Sequence, residues 1–231
     1  MQLETSERMK EVIGFPKEEL MVLSNQSCSE NSDYWNYFYK SDICKSLVGP
    51  SKFSEFTLMI IRNILHAKSM NKVTSLLDIG CGNGRDLFYF RENGLDAHGI
   101  DLNICYNSPY IDRGDALKIS ESFDVYYLRF FLHTLPENQL DALLANLSKV
   151  MPEDSYIFLE TRSSKAITDN EKSETNFRSE IGEEHFRMLY SINYLSTKIG
   201  NYFNIYYSTE DKGHAPFRGE DPYIIRMILT K

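Results

Sequence analysis

The stretch LLDIGCGNGRD, Leu76 to Asp86, constrains this chain more than any other. An apolar run ends in an acid, three glycines follow at alternate positions, and a helical segment begins. Gly80, Gly82 and Gly84 let the backbone turn tightly and approach a ligand closely. The helix that follows offers free N–H groups at its start. Around this unit, short apolar strands alternate with helices. Strands are expected at 75–79, 97–101, 110–111 (weak), 123–128, 156–160, 203–207 and 223–229. PENQLDALLANLSKVM has a helical period, and so does SKFSEFTLMIIRNILHAK, with Ser51 as its N-cap. EEHFRMLYSINYLSTKIG also reads as a helix, carrying His185 and Arg187 in its first turns. The polar segment before it, SSKAITDNEKSETNFRSEIG, reads as a flexible flap. The alternation predicts a doubly wound α/β sheet. Only thirteen residues separate Asp101 from Asp115, so the crossover helix there is very short or absent.

With 231 residues, one domain with a single core is expected. A net charge of −8 speaks against a surface that coats nucleic acid. No apolar run reaches the ~18 residues that span a membrane, and the charged N-terminus lacks a signal-peptide core. Cys28, Cys44, Cys81 and Cys105 show no C-x-x-C spacing. Free thiols in a reducing compartment, and hence a cytoplasmic location, are the expectation. Nothing resembles a clustered metal site, and no metal is expected.

Two cofactor types use a glycine loop of this kind. Dinucleotide enzymes need G-x-G-x-x-G, but the sixth position here is Arg85; the glycines run G-x-G-x-G. Asp78 beside the loop repels a pyrophosphate and suits a cationic ligand, such as the ammonium or sulfonium of S-adenosylmethionine. Asp101 ends the next strand, where a carboxylate can accept both ribose hydroxyls, and Asp115 falls where an adenine amino group could bind. NSPY, 107–110, is similar to the N-P-P-Y of amino-group methyltransferases, but it follows the second strand rather than the fourth. It reads as a turn, with Pro109 extending Ser108.

LLDIGCGNGRD, GIDLN, GDA and FDVYYLRFFLHTL together resemble class I S-adenosylmethionine-dependent methyltransferases, in order over residues 72 to 231. The resemblance implies a Rossmann-like seven-stranded sheet over 71–231, mainly parallel with an antiparallel last strand, and an N-terminal helical lid over 1–70. It implies S-adenosylmethionine as cofactor and S-adenosylhomocysteine as product. The contacts it implies are Tyr39, Asp78, Gly80, Cys81, Gly82, Gly84, Arg85, Asp101, Leu102, Asp115, Ala116 and Leu128. WNYFY and PSKF resemble the N-terminal lid of one branch; its aromatics either cover the cofactor's methionine end or anchor the N-terminal helices. LETRSS, EHFRML and GEDPYIIRMI resemble a branch associated with surface-polysaccharide modification, including phosphoramidate methylation.

For the acceptor, His133 follows the fourth strand at the ligand-binding edge. It is either a proton acceptor or a packed histidine. Arg129, Arg162, Arg187 and Arg218 fall at or after carboxyl-edge positions of an otherwise acidic chain, with His185 and His214 nearby. Such arginines suit a phosphate or carboxylate, which guanidinium grips bidentately. A small anionic acceptor methylated on oxygen is therefore expected. A protein or nucleic-acid substrate, or a non-catalytic cofactor-binding subunit, are the alternatives. GHAPFRGEDPY, 213–223, is expected to wall the acceptor pocket, with Glu220 and Asp221 fixing its turn or pairing with Arg226.

Overall fold

The computed structural model describes residues 30–41, 49–67, 73–104, 107–166, 172–178, 184–217 and 219–231. Seven strands form one sheet. In chain order they are β1 (Ser75–Ile79), β2 (Asp96–Asp101), β3 (Ile111–Arg113), β4 (Val125–Arg129), β5 (Tyr156–Arg162), β8 (Asn204–Asp211) and β9 (Ile224–Thr230). Their spatial order is β3-β2-β1-β4-β5-β9-β8. The first five are mutually parallel, and β9 runs antiparallel to both β5 and β8. This is the mainly parallel sheet with an antiparallel last strand that the sequence predicts. β4 and β3 each start later than expected. The nine residues between β2 and β3 contain no helix among the described residues, as the short spacing requires. NSPY there is a turn, closed by the Ile111 N–H donating to the Ser108 carbonyl.

Helices cover both faces, so parallel strands are buried on both sides. On one face Leu77, Ile79, Tyr126, Leu128, Ile157 and Leu159 pack with Leu140, Leu143, Leu144 and Leu147 of α4 (Glu137–Val150). Those leucines recur at i, i+3, i+4 and i+7, the stripe of an amphipathic helix. On the other face Leu76, Tyr127 and Phe158 pack with Phe53, Leu58 and Ile61 of α2 (Lys52–Ala67) and with Leu87 and Phe90 of α3 (Arg85–Glu92). Ser51 caps α2 as expected: its Oγ accepts from the Ser54 N–H at 3.0 Å. α1 (Glu30–Lys40) precedes α2, and α5 (Ile192–Ile199) precedes β8. No described helix is long and apolar enough to cross a membrane.

One expected helix is corrected. Residues 184–190 form a strand, β7 (Glu184–Tyr190), paired antiparallel with β6 (Lys172–Arg178). Phe186, Met188 and Tyr190 alternate with period two and pack on the core of the face that α4 covers. Pairing with β6 wins over the helical reading of the same residues. The helix begins only after Ser191, whose Oγ accepts from the Tyr194 N–H at 3.1 Å. β6 also replaces part of the segment expected to be a flexible flap. The expectation for Arg218, and those for Cys28, Cys44 and Cys105, lie outside the described residues.

Candidate active site

A cavity of about 1160 Å³ opens at the carboxyl edge of the sheet. The glycine loop, the β2 end, the β4 and β5 ends, β7 and the β8–β9 connection all border it, and α1 lies against it. Every expected cofactor contact lines it except Gly84 and Leu128.

The donor side is built from backbone. Gly80, Gly82 and Gly84 all have positive φ, at 74°, 56° and 71°, a conformation that side-chain-bearing residues resist. A Cβ on Gly82 would stand 2.7 Å from the Tyr39 hydroxyl oxygen. Asp101 accepts from the Gly82 N–H at 2.9 Å and the Asn103 N–H at 2.8 Å, and Tyr39 also donates to it. Burial pushes the Asp101 carboxyl up against those hydrogen bonds. The Asp78 carboxyl is pushed well above its ordinary value, by burial first and then by the carboxylates of Asp86 and Asp101. Asp78 and Asp101 together at one loop favour a cation, so the donor set suits a sulfonium ligand better than a pyrophosphate. Leu102, 60% exposed, is an apolar surface at the cavity's margin. Asp115 is more engaged than expected: its Oδ1 accepts from the Leu117 N–H at 3.0 Å, and Lys118 lies 3.5 Å from its Oδ2.

A buried charged network that the sequence reading missed underlies both sides. Asp86, 5% exposed, accepts from Ser51 N–H (2.8 Å), Ser51 Oγ (2.8 Å), Ser54 Oγ (3.0 Å) and Tyr127 Oη (2.8 Å). Burial works against its charge, but Arg129, Arg85 and the Ser51 hydrogen bonds outweigh it and hold the carboxyl below its usual range. Arg129 Nε donates to Glu160 Oε1 at 3.0 Å, and Arg226 Nε donates to Glu160 Oε2 at 2.7 Å. Arg129 pairs in register with Glu160, and Glu160 with Arg226, so the row is set by strand pairing across β4, β5 and β9. Arg226 also donates to the His214 carbonyl at 3.1 Å. One expectation changes here, and one pair of alternatives is decided. Arg129 borders the cavity, but its charge is engaged by Glu160 and Asp86. Arg226 pairs with Glu160, not with Glu220 or Asp221; Asp221 fixes the turn by accepting from the Gly213 N–H at 2.7 Å.

The part of the cavity expected to receive the acceptor, the acceptor side, is a cluster of side chains. Arg162 ends β5, Arg187 comes from β7, and His133 sits in a 3-10 turn, Leu132–Thr134. All three line the cavity, as does His214. His185 stands behind, 3% exposed, its Nε2 accepting from Arg187 Nε at 2.9 Å. Burial and the neighbouring Arg162 lower the Arg187 pKa to about 10; burial and then Arg129 lower that of Arg162, with Glu220 and Tyr34 opposing. Both remain cations at neutral pH. His133, 2% exposed, has Nδ1 3.4 Å from Thr161 Oγ1. Burial, then Arg187, Arg162, His185 and Arg129, push its pKa well below the ordinary value, so the imidazole is neutral. Phe130, which the sequence reading passed over, has φ 54°, the sole described non-glycine residue with positive φ. Its ring stands 4.4 Å from the Arg129 guanidinium carbon and 5.8 Å from that of Arg162. Strain of that kind gathers at functional sites.

A mainly parallel sheet with an antiparallel last strand, and a glycine loop fitted to a cationic nucleoside, define a class: the S-adenosylmethionine-dependent methyltransferases. A family model described as a methyltransferase domain matches residues 56–204, well over half of the chain, and the chain belongs to that family. No curated protein sequence matches it. Solved structures with this fold include a SAM-dependent methyltransferase from Methanosarcina mazei, 19% identical, with a TM-score of 0.60 over 73% of this chain and 96% of that one. They also include 1,6-didemethyltoxoflavin-N1-methyltransferase from Burkholderia thailandensis, 14% identical, TM-score 0.57, covering 94% of this chain and 97% of that one. A third is the glycopeptide N-methyltransferase MtfA, complexed with S-adenosylmethionine: 13% identical, TM-score 0.57, covering 78% and 94%.

Proposed function

We propose that this methyltransferase acts on an oxygen of a small acceptor bearing a phosphate, phosphoramidate or carboxylate. The observation that carries the reading is one cavity with carboxylates at the glycine-loop end and Arg162, Arg187 and a neutral His133 at the other. When bound, S-adenosylmethionine supplies a methyl group already activated for in-line attack. The chain's residues supply position. Asp101 would hold the ribose hydroxyls while Gly82 holds Asp101. Asp78 would face the cofactor's positive charge. Arg162 and Arg187 would grip the acceptor's anion. If its Nδ1 donates to Thr161, His133 would offer Nε2 to the acceptor's hydroxyl, and a bound anion, by offsetting the arginines that depress its basicity, would let it take the proton. Positioning does most of this work, since bringing two reactants together removes an entropic barrier.

The segments resembling the surface-polysaccharide branch support a finer reading: a nucleotide-linked or phosphorylated sugar intermediate. LETRSS contributes Arg162, EHFRML contributes Arg187, and GEDPY contributes Glu220, all bordering the cavity. The N-methyltransferases among the structural relatives make nitrogen the second acceptor atom to try. The test is an acceptor screen with labelled S-adenosylmethionine over phosphorylated sugars, nucleotide-linked compounds, free carboxylates and amines, read as S-adenosylhomocysteine release. Anionic acceptors should turn over, and Arg162→Gln should raise their KM about 10-fold, the loss of one charge-assisted contact. Turnover of neutral acceptors alone, or an Arg162→Gln variant with unchanged KM and kcat, would defeat the proposal. Cofactor binding with no turnover of any acceptor would favour the non-catalytic subunit.

A further inference from the structure

α1 reaches both ends of the cavity through two tyrosines five residues apart. Tyr34 is 5% exposed and lines the acceptor end. Its ring lies flat on His185, with centroids 3.7 Å apart and planes at 15°. That imidazole accepts from Arg187 Nε, so Tyr34 backs the group that holds one acceptor arginine. Tyr34 borders the same cavity as Arg162 and Arg187. Tyr39 stands at the donor end: its hydroxyl donates to Asp101 and crowds the position where Gly82 lacks a side chain. Trp35 and Phe38 complete the inward surface, with Trp35 centroids 4.9 Å from Tyr34, 6.1 Å from Tyr39 and 5.7 Å from His185. Tyr37, between them in sequence, faces outward at 55% exposure.

We propose that Tyr34 is the third anchor of the acceptor's anionic group, beside Arg162 and Arg187, and that α1, through Tyr34 and Tyr39, couples the two subsites so that donor and acceptor each strengthen the other's binding. The inference rests on the anionic-acceptor reading above. Its physical basis is that both tyrosines sit on one helix. A first ligand that draws α1 toward the cavity through one hydroxyl also sets the position of the other, and the second ligand finds its hydroxyl in place. Linkage makes the effect reciprocal. Tyrosine suits both posts, since a rigid ring packs while its hydroxyl meets a polar partner.

Trp35 is the chain's single tryptophan, so intrinsic fluorescence of the full chain reports on α1 directly. Inorganic phosphate is titrated with and without saturating S-adenosylhomocysteine, and calorimetry repeats each titration. The expected result is a phosphate affinity about 5- to 10-fold tighter with S-adenosylhomocysteine present, the lower range of coupling between sites. Tyr34→Phe keeps the ring on His185 and should weaken phosphate binding about 5-fold, with S-adenosylhomocysteine affinity unchanged in phosphate-free buffer. Tyr39→Phe, titrated at S-adenosylhomocysteine concentrations that calorimetry shows to saturate the variant, should leave phosphate binding alone intact and abolish its response to S-adenosylhomocysteine. A merely structural α1 predicts that neither change matters. Phosphate binding that depends on Arg162 but not on Tyr34, with equal affinity in both conditions, overturns this inference and leaves the anionic-acceptor reading standing. No phosphate binding by calorimetry overturns both.

Discussion

On the donor side the ligand-facing geometry hangs from main chain: three left-handed glycines, and Asp101 clamped by the N–H groups of Gly82 and Asn103. On the acceptor side it hangs from side chains delivered by distant segments: Arg162 from β5, Arg187 from β7, His133 after β4 and Tyr34 from α1. The electrostatics are opposite as well. Carboxylates crowd the first side, and the second gathers arginines against a neutral histidine. A backbone-built site suits a ligand that stays the same across a family. A side-chain-built site can be changed one residue at a time, which suits an acceptor that differs from enzyme to enzyme. Between them runs the row of Asp86, Arg129, Glu160 and Arg226, whose two acids balance two bases.

The row should carry the largest effect, because it belongs to both halves. Glu160→Gln leaves Arg129 and Arg226 buried without their shared carboxylate. Removing one partner of a buried pair costs about 3–5 kcal/mol. Urea unfolding should show a loss of that size, and both ligand sites should weaken together. A loss under about 1 kcal/mol would mean the arginines find other partners, and the row would then not join the halves.

Asp101→Ala should separate them instead. It removes the acceptor of two N–H groups and of the Tyr39 hydroxyl. Charge-assisted hydrogen bonds of this kind contribute about 1.5–3 kcal/mol, so S-adenosylhomocysteine should bind about 100-fold more weakly, a loss of about 2.7 kcal/mol. Phosphate binding without S-adenosylhomocysteine should change less than about 2-fold, well under 1 kcal/mol. Equal losses at both ends would erase the distinction between the halves.

The same division explains what could be read in the sequence. The donor side was legible because its parts are contiguous: a strand, three glycines and a helix start in eleven residues, with Asp101 at the next strand's end. Ser51 as a cap and the shortened β2–β3 link were legible for the same local reason. The acceptor side was half legible. Its arginines were found by position, but their partners were not. Nothing local ties Glu160 to Arg226, 66 residues away, or Ser51 to Asp86, 35 residues away. Position alone therefore makes Arg129 an expected acceptor contact, although strand register places it against Glu160. β7 was read as a helix because EHFRMLY carries both periods, and only pairing with β6 decides between them. Tyr34 was overlooked among its aromatic neighbours; its stacking partner His185 lies on β7, the misread element.

The smallest expected effect tests whether the acceptor side is as electropositive as its geometry implies. His133 faces Arg187 and His185 of β7, Arg162 of β5 and Arg129 of β4, and burial with these neighbours keeps it neutral in the folded chain. Its folded pKa lies below the unfolded value near 6.5, so below that pH the unfolded chain binds a proton that the folded chain does not. Stability must then fall as pH falls through about 6.5, by at most about 1.4 kcal/mol per pH unit from this one group. Asp78 and Asp101, raised by burial, act in the opposite sense, because they bind protons more readily when folded. Wild type alone is therefore ambiguous, and the comparison with His133→Asn isolates the imidazole. Between pH 6.5 and 5.5 wild type should lose about 1 kcal/mol more than the variant, measured by urea unfolding at each pH. Parallel curves would mean that His133 protonates freely in the folded chain, that the arginines beside it are already neutralised from within, and that the acceptor side holds no charge in reserve for an anion.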